Sequence, residues 1–234
     1  MALTLYDASN PVLAEFGLAR KEVRVDHATA GFQNLTFSVR QNWNAHGVAG
    51  VVWESALILA TFLWNHSEKW IADKHVLELG AGTGIPAMTC ALAGARSVWA
   101  TDVHSVIPIL TDNIDQNLLN YSNERSRISI KPLDWTSISQ NDQNFWTATV
   151  PDLIIGADLI YDQQLFTPLR QVLMFFAKIN ANCEFLIAVK IRYPKDGAFI
   201  DNLRSKFDVN LVHSDKNVDV KIYHLVIKAA QQEL

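Results

Sequence analysis

Residues 75–86 read His75-Val76-Leu77-Glu78-Leu79-Gly80-Ala81-Gly82-Thr83-Gly84-Ile85-Pro86. An apolar run comes first, then glycines at alternate positions, then a proline. The run suits a short buried strand. The glycines suit a turn with backbone angles closed to other residues. Pro86 suits the first turn of a helix, where no N–H is needed. A strand feeding a helix through a glycine turn is the opening of a βαβ unit, and it sets the reading of the rest.

Downstream the alternation continues. Ser97–Thr101 reads as a strand, followed by a helix carrying Val106, Ile107, Leu110, Ile114 and Leu118. Ile128–Ile130, Asp152–Gly156 and Phe185–Val189 read as further strands, with helices near Leu165–Phe176 and Ile200–Phe207. Val209–Val212 and Lys221–Ile227 read as a closing hairpin. The polar stretches Tyr121–Arg127 and Ser137–Asn144 read as loops. Upstream, Leu35–Arg40 alternates as a half-buried strand does, and Trp53–Trp64 has helical spacing. Alternating strands and helices predict an α/β fold whose parallel sheet is covered on both faces. Ligands then bind beyond the carboxyl ends of the strands, where the strand order reverses.

The glycine loop departs from the dinucleotide fingerprint G-x-G-x-x-G, because Ile85 stands where the third glycine belongs. A merely tight turn stays open on this motif alone. Asp102 closes the second strand, 22 residues after Gly80. An acid there can accept both hydroxyls of a ribose. It could equally cap the next helix, as could Thr101 or Ser105. Glu78, two residues before the glycines, would repel a diphosphate yet suit an ammonium group. Together the three features predict an adenosine-containing cofactor without phosphate, and S-adenosylmethionine fits better than NAD. Trp135 follows a strand in a polar setting, where its ring can stack a base or cover the core. Tyr161, three residues after the strand-end acid Asp158, can wall a site or cap a helix. Trp64, Trp70 and Trp99 read as packing residues.

Composition narrows the class. The 234 residues, 49% of them apolar, suffice for one large core and exclude a disordered chain. The net charge of −4 argues against non-specific wrapping of nucleic acid. Cys90 and Cys183 lie in apolar runs and read as reduced, buried thiols. The first residues carry Asp7 and Glu15 with no signal-like apolar block, and the apolar stretch Ala56–Trp64 is too short to span a bilayer. A cytoplasmic protein without a membrane partner is expected. The seven histidines show no metal-ligand spacing, so no metal is expected.

These motifs resemble the seven-strand S-adenosylmethionine-dependent methyltransferases, and within them the protein-lysine methyltransferases marked by D-x-x-Y after the fourth strand. The resemblance rests on Val51-Val52-Trp53-Glu54-Ser55-Ala56, Leu133-Asp134-Trp135 and Gly156-Ala157-Asp158-Leu159-Ile160-Tyr161. It extends to Met1-Ala2-Leu3 with Glu15-Phe16-Gly17, to Arg40-Gln41-Asn42-Trp43 and to Ile191-Arg192-Tyr193, so it covers nearly the whole chain. Glu54 and Ser55 depart from the aspartate and alanine usual there. The enzymes that amino-methylate DNA bases carry proline-proline-aromatic where Leu159-Ile160 stands, so no nucleic-acid partner is expected.

The resemblance implies a Rossmann-like seven-strand fold, mostly parallel, with a closing antiparallel hairpin and an N-terminal extension. It implies one domain over 1–234, with 1–50 shaping the substrate surface and 51–234 forming the cofactor-binding catalytic core. Gly80, Ala81 and Gly82 would line the cofactor's methionine end, with Glu78 beside them and Trp53 covering it. Asp102 would hold the ribose, Trp135 would pack on the adenine, and Ala157 would bring backbone close. Asp158 and Tyr161 would flank the lysine channel as catalytic residues. The similarity is greatest to the members that methylate a lysine of Hsp70-type chaperones, acting as monomers. A translation elongation factor as substrate, a non-catalytic module binding cofactor and chaperone, and an NAD-linked oxidoreductase stay open as alternatives.

Overall fold

A computed structural model describes residues 20–25 and 34–229. The segments Met1-Ala2-Leu3 and Glu15-Phe16-Gly17 lie outside them. In chain order the elements are β1 (Arg20–Val25), β2 (Leu35–Arg40), α1 (Trp43–His46), a 3-10 turn (Gly47–Gly50), α2 (Glu54–Asn65), α3 (Ser67–Trp70), β3 (His75–Leu79), α4 (Ile85–Leu92), β4 (Ser97–Asp102) and α5 (Ile107–Asn117). They continue with α6 (Ser122–Ser126), β5 (Ile128–Pro132), α7 (Gln140–Ala148), β6 (Leu153–Ala157), a 3-10 turn (Gln163–Leu165), α8 (Phe166–Ile179), β7 (Glu184–Lys190), α9 (Pro194–Leu203), β8 (Phe207–Asp215) and β9 (Val220–Ile227).

The main sheet has seven strands in the order β5-β4-β3-β6-β7-β9-β8. β5, β4, β3, β6 and β7 are parallel, while β9 is antiparallel to both β7 and β8. The expected mostly parallel sheet and closing hairpin are thus present, with the hairpin's second strand inserted beside β7. The order reverses between β3 and β6, so the switch point lies at the tips of β3, β4 and β6.

Strand alternation splits the core into two layers. Val76 of β3, Leu153 and Ile155 of β6, and Leu186 and Ala188 of β7 face α2, α4 and α5. Leu77 and Leu79, Ile154, and Phe185, Ile187 and Val189 face α7, α8 and α9 on the other side. β1 and β2 form an antiparallel hairpin whose Val23, Val25, Leu35, Phe37 and Val39 are buried in the first layer. Its attachment to α5 is sheet-like. Asn117 Oδ1 accepts from Ser38 N at 2.7 Å, and Asn113 Oδ1 from Arg40 N at 2.8 Å. Both side-chain amides donate back to the same residues' carbonyls at 3.1 Å. Two asparagines one helical turn apart thus satisfy an open strand edge.

Three local expectations are corrected. The stretch Ser137–Asn144 is not a loop, because α7 begins at Gln140. Ser139 Oγ accepts from Asp142 N at 3.1 Å while the Asp142 carboxylate accepts from Ser139 N at 3.3 Å, a reciprocal cap. Its anchor is Trp146, fully buried against Trp99 and Phe176 with ring centroids 5.6 and 5.7 Å away. With a single buried residue, α7 has no amphipathic stripe to read. The Tyr121–Arg127 stretch holds the short α6. The helix expected at Ile200–Phe207 is α9, shifted toward the N-terminus. Pro194 sits in its first turn, and the buried Asp196 carboxylate accepts from the N–H groups of Arg192 and Tyr193 at 3.0 and 2.9 Å. Phe207 instead opens β8.

Ser139→Ala should lower stability by about 1 kcal/mol in urea unfolding at pH 7. Hydrogen bonds from Ser139 hold the Asp142 carboxyl below its usual range. A depressed carboxyl stabilises above its unfolded value and loses that contribution as pH falls. The part of the deficit that comes from the Ser139 hydroxyl on the Asp142 carboxylate should therefore shrink below about pH 4, and a deficit constant from pH 7 to pH 3 would rule out that bond as a contributor.

Candidate functional site

The tip of β3 and the start of α4 are joined by the glycine loop. Gly80 and Gly82 have φ of 61° and 52°, angles that favour glycine. A Cβ on Gly80 would lie 2.9 Å from Leu159 Cδ2 and 3.3 Å from Trp135 Cζ2, so a bare backbone is also needed for space. The loop is fastened to β4. Ala81 N donates to Thr101 O at 2.9 Å, and Thr101 Oγ1 donates to Glu78 O at 2.6 Å.

Asp102 completes the fastening. Its Oδ2 accepts from Gly82 N and its Oδ1 from Val103 N, both at 2.8 Å. The helix-cap alternative is thereby removed: α5 has Val106 at its N-cap and no side-chain cap. Burial pushes the Asp102 carboxyl above its usual range, and the two N–H donors pull it back. Glu78 is fully buried on the same side and lines the same cavity. Its Oε2 has no hydrogen-bond partner, and burial raises its carboxyl well above the usual range. A buried acid with an unsatisfied oxygen at a cavity wall is the natural counterpart of an ammonium donor.

Beyond β5, Leu133 N donates to Asp102 O at 2.8 Å. Asp134 Oδ1 accepts from Thr136 N and Oγ1 at 2.8 and 2.7 Å, a tight Asx turn that holds Trp135 against Gly80. The ring is half-buried, one edge in the core and the rest lining the cavity.

Beyond β6, Ala157 borders the cavity and Asp158 adopts φ 54°. Asp158 N donates to Ala188 O at 2.9 Å. Its carboxylate accepts two bonds from Arg192, from Nη1 at 3.0 Å and Nη2 at 2.9 Å. Tyr161 is 42% exposed at the cavity's edge. Partial burial raises its phenol above the usual range, and the charges of Asp102 and Asp162 add to this.

All ten residues singled out from sequence line one cavity: Trp53, Glu78, Gly80, Ala81, Gly82, Asp102, Trp135, Ala157, Asp158 and Tyr161. Two features stand outside the ten selected residues. One is a wall from α1 and the turn after it, where His46, Val48 and Ala49 reach the cavity. The wall is held by Trp53 Nε1 donating to Val48 O at 2.7 Å, by Asn42 N donating to Gly50 O at 2.8 Å, and by His46 Nδ1 against Ser105 O at 2.9 Å. The cavity therefore draws on residues either side of position 50. The other is Arg192, which pairs with Asp158 and lies 5.6 Å from the Trp53 ring centroid. Its place just beyond β7, at the carboxyl end of a parallel strand, was the available signal. The departure Glu54 accounts for itself through an ion pair with Lys190 at 2.6 Å, while Ser55 is buried with no partner for its hydroxyl.

The groups present suit a nucleoside carrying an ammonium group. The Asp102 carboxylate can accept from hydroxyls, the Trp135 ring can stack a base, bare glycine backbone permits close approach, and the unpartnered Glu78 oxygen suits a cation. Among the described residues no group of three or more His, Cys, Asp or Glu could hold a metal ion. No single described helix is long and apolar enough to cross a membrane.

Residues 31–206 match the lysine methyltransferase family. The chain is 35% identical to the protein N-lysine methyltransferase METTL21A of Mus musculus and 31% identical to METTL21A of Danio rerio, in each case over the whole of both chains. Among solved structures, the glycopeptide N-methyltransferase MtfA complexed with S-adenosyl-L-methionine shares the fold. Its TM-score is 0.54 at 12% identity, over 73% of this chain and 87% of that one.

Proposed function

The chain belongs to the lysine methyltransferase family, and on that footing we propose that its methyl acceptor is a lysine of an Hsp70-type chaperone, reached through the mouth between Asp158 and Tyr161. The protein is an S-adenosylmethionine-dependent protein-lysine methyltransferase. The observation that carries the site assignment is the convergence of ten sequence-selected residues on one cavity at the switch point. The chaperone is supported by the extent of the resemblance along the chain, which runs from Arg40-Gln41-Asn42-Trp43 to Ile191-Arg192-Tyr193, beyond the D-x-x-Y motif that the wider group shares. The reading takes the enzyme as a cytoplasmic monomer of one domain, a setting that suits the two buried free thiols Cys90 and Cys183.

S-adenosylmethionine supplies an already activated methyl group on a sulfonium. The protein's task is placement. Asp102 would take the ribose hydroxyls, Trp135 would stack the base, Glu78 would take the ammonium, and the Gly80–Gly82 backbone, with Ala81 between, would let the methionine part lie close. Ala157 borders it and Trp53 covers it. The acceptor amine must lie in line at about 3–3.5 Å, largely an entropic demand. A free lysine has a pKa near 10.4, so only about 0.1% is neutral at physiological pH. Removal from water by the aromatic walls Trp53 and Tyr161 favours the neutral amine. The neutral amine would supply the lone pair that takes the methyl, the C–S bonding pair would stay on the sulfur, and the proton shed before attack would go to water. Asp158 accepts an N–H of the amine and aims the lone pair.

Purified Hsp70-type chaperone incubated with the enzyme and tritiated S-adenosylmethionine should gain label on a lysine. Tyr161→Ala should lower the rate about tenfold through loss of the aromatic wall. Label on a translation elongation factor with none on the chaperone would move the substrate assignment. Label on neither, with cofactor bound, would place the substrate among other proteins and overturn the chaperone assignment.

A further inference from the structure

The charged side chains that line the cavity are unevenly matched. Glu78, Asp102, Asp134 and Asp158 are acids, and among the described lining residues Arg192 is the one lysine or arginine. That cation sits on Asp158, the acid just beyond the tip of β6. Its guanidinium engages both Asp158 oxygens at 2.9–3.0 Å, and Asp158 keeps only 8% of its side chain exposed. The pair is clamped from several sides. Arg192 N donates to the buried Asp196, Nη1 reaches Lys190 O at 3.5 Å, and the ring of Trp53 lies beside the guanidinium. This is a fork matched to a carboxylate, a geometry an ammonium cannot reproduce.

We propose that Arg192 is a positioning residue of the methyl transfer: it neutralises Asp158, so that this carboxylate orients the acceptor lysine without holding a proton on it. The inference rests on the proposed lysine site. An unbalanced carboxylate beside the acceptor would stabilise the ammonium form, which has no lone pair to attack with. Binding would then be strong and transfer slow. A paired carboxylate still accepts an N–H from the amine but no longer favours its charged form. The other charged and titratable groups around the pair are accounted for. Glu54 from α2 is tied to Lys190 of β7, and Asp196 of α9 gives its Oδ2 to the N–H groups of Arg192 and Tyr193 while its Oδ1 is buried without a partner. Asp102 is engaged with the glycine loop, and Glu78 lies under the cofactor's side of the cavity. His46 is held on Ser105 O across the cavity, Asp134 is bonded to Thr136, and Tyr161 and Asp162 follow Asp158 on its own loop. None of them offers a second cation to Asp158.

The test is the pH profile of single-turnover transfer. Enzyme and tritiated S-adenosylmethionine are in excess over unfractionated cell-extract protein, and methyl-lysine is counted after hydrolysis. Each variant is first shown to have a cooperative melting transition. Arg192→Gln should move the alkaline rise upward by about one pH unit. Its rate relative to wild type would then climb from about one-tenth near pH 7 toward parity by about pH 10. Arg192→Lys should restore most of the midpoint, and Asp158→Asn combined with Arg192→Gln should return it, because the unbalanced charge is gone. A loss uniform across pH would mean a structural role and overturn the inference, as would an unshifted double and single variant alike. No labelled lysine with the wild-type enzyme would instead overturn the proposed function, and the inference with it.

Discussion

Asp102→Ala should weaken binding of S-adenosylhomocysteine by two to three orders of magnitude in isothermal titration. The carboxylate has two tasks at once. It accepts from Gly82 N and Val103 N, fixing the glycine loop to the tip of β4, and in the proposed site its remaining lone pairs meet the ribose hydroxyls. Hydrogen bonds to a charged acceptor contribute about 1.5–3 kcal/mol each, so losing a bidentate ribose contact alone corresponds to roughly 10²–10⁴ in affinity, and the expected loss lies in the lower half of that range. Asp102→Asn should be nearly as damaging, because its amide nitrogen would face one of the two N–H donors. The unliganded fold should survive. Burial raises the Asp102 carboxyl, so the charge is an expense to the folded state that alanine removes. An affinity within threefold of wild type, with the fold intact, would take Asp102 out of the site.

Why the sequence disclosed this much and no more can be argued from particular residues. His75–Leu79 forms β3 with the expected limits because a buried parallel strand must be a continuous apolar run bounded by a turn. The glycine loop and Asp102 were readable because their function depends on backbone geometry and spacing, both written in the chain. The wall at His46–Ala49 was not. It is held by backbone groups, one indole N–H and the His46 imidazole on Ser105 O, pairings between residues whose spacing carries no recognisable pattern. Arg192 was legible only as part of a resembling segment, since its meaning lies in a partner 34 positions away. Helix α7 was lost because its stabilisation is concentrated in Trp146 and a cap, whereas periodicity detects a stripe. Local geometry is thus legible, and pairings made across the sheet tips are not.

Glu78 presents the sharper conflict between stability and binding. It is buried, its Oε2 has no partner, and a backbone hydrogen bond from Ala87 only partly offsets the burial that pushes its carboxyl up. An acid whose folded value is raised binds its proton more tightly in the folded state. As pH rises through the unfolded value near 4.3–4.5, the unfolded chain releases a proton that the folded chain keeps. Stability then falls by about 1.4 kcal/mol per pH unit until the folded carboxyl also ionises. Glu78→Gln removes that slope. The variant should therefore melt higher than wild type at pH 7–8, with the gap narrowing toward pH 5. Binding should move the other way. The ammonium end of the cofactor gains its counter-charge only from the ionised acid, so the variant should lose about thirtyfold in S-adenosylhomocysteine affinity. Wild-type affinity should rise with pH across the range in which the variant's stays flat. Melting curves and titrations at matched pH values read both effects, and a variant that melts lower while binding as well as wild type would mean Glu78 serves the fold and not the cofactor.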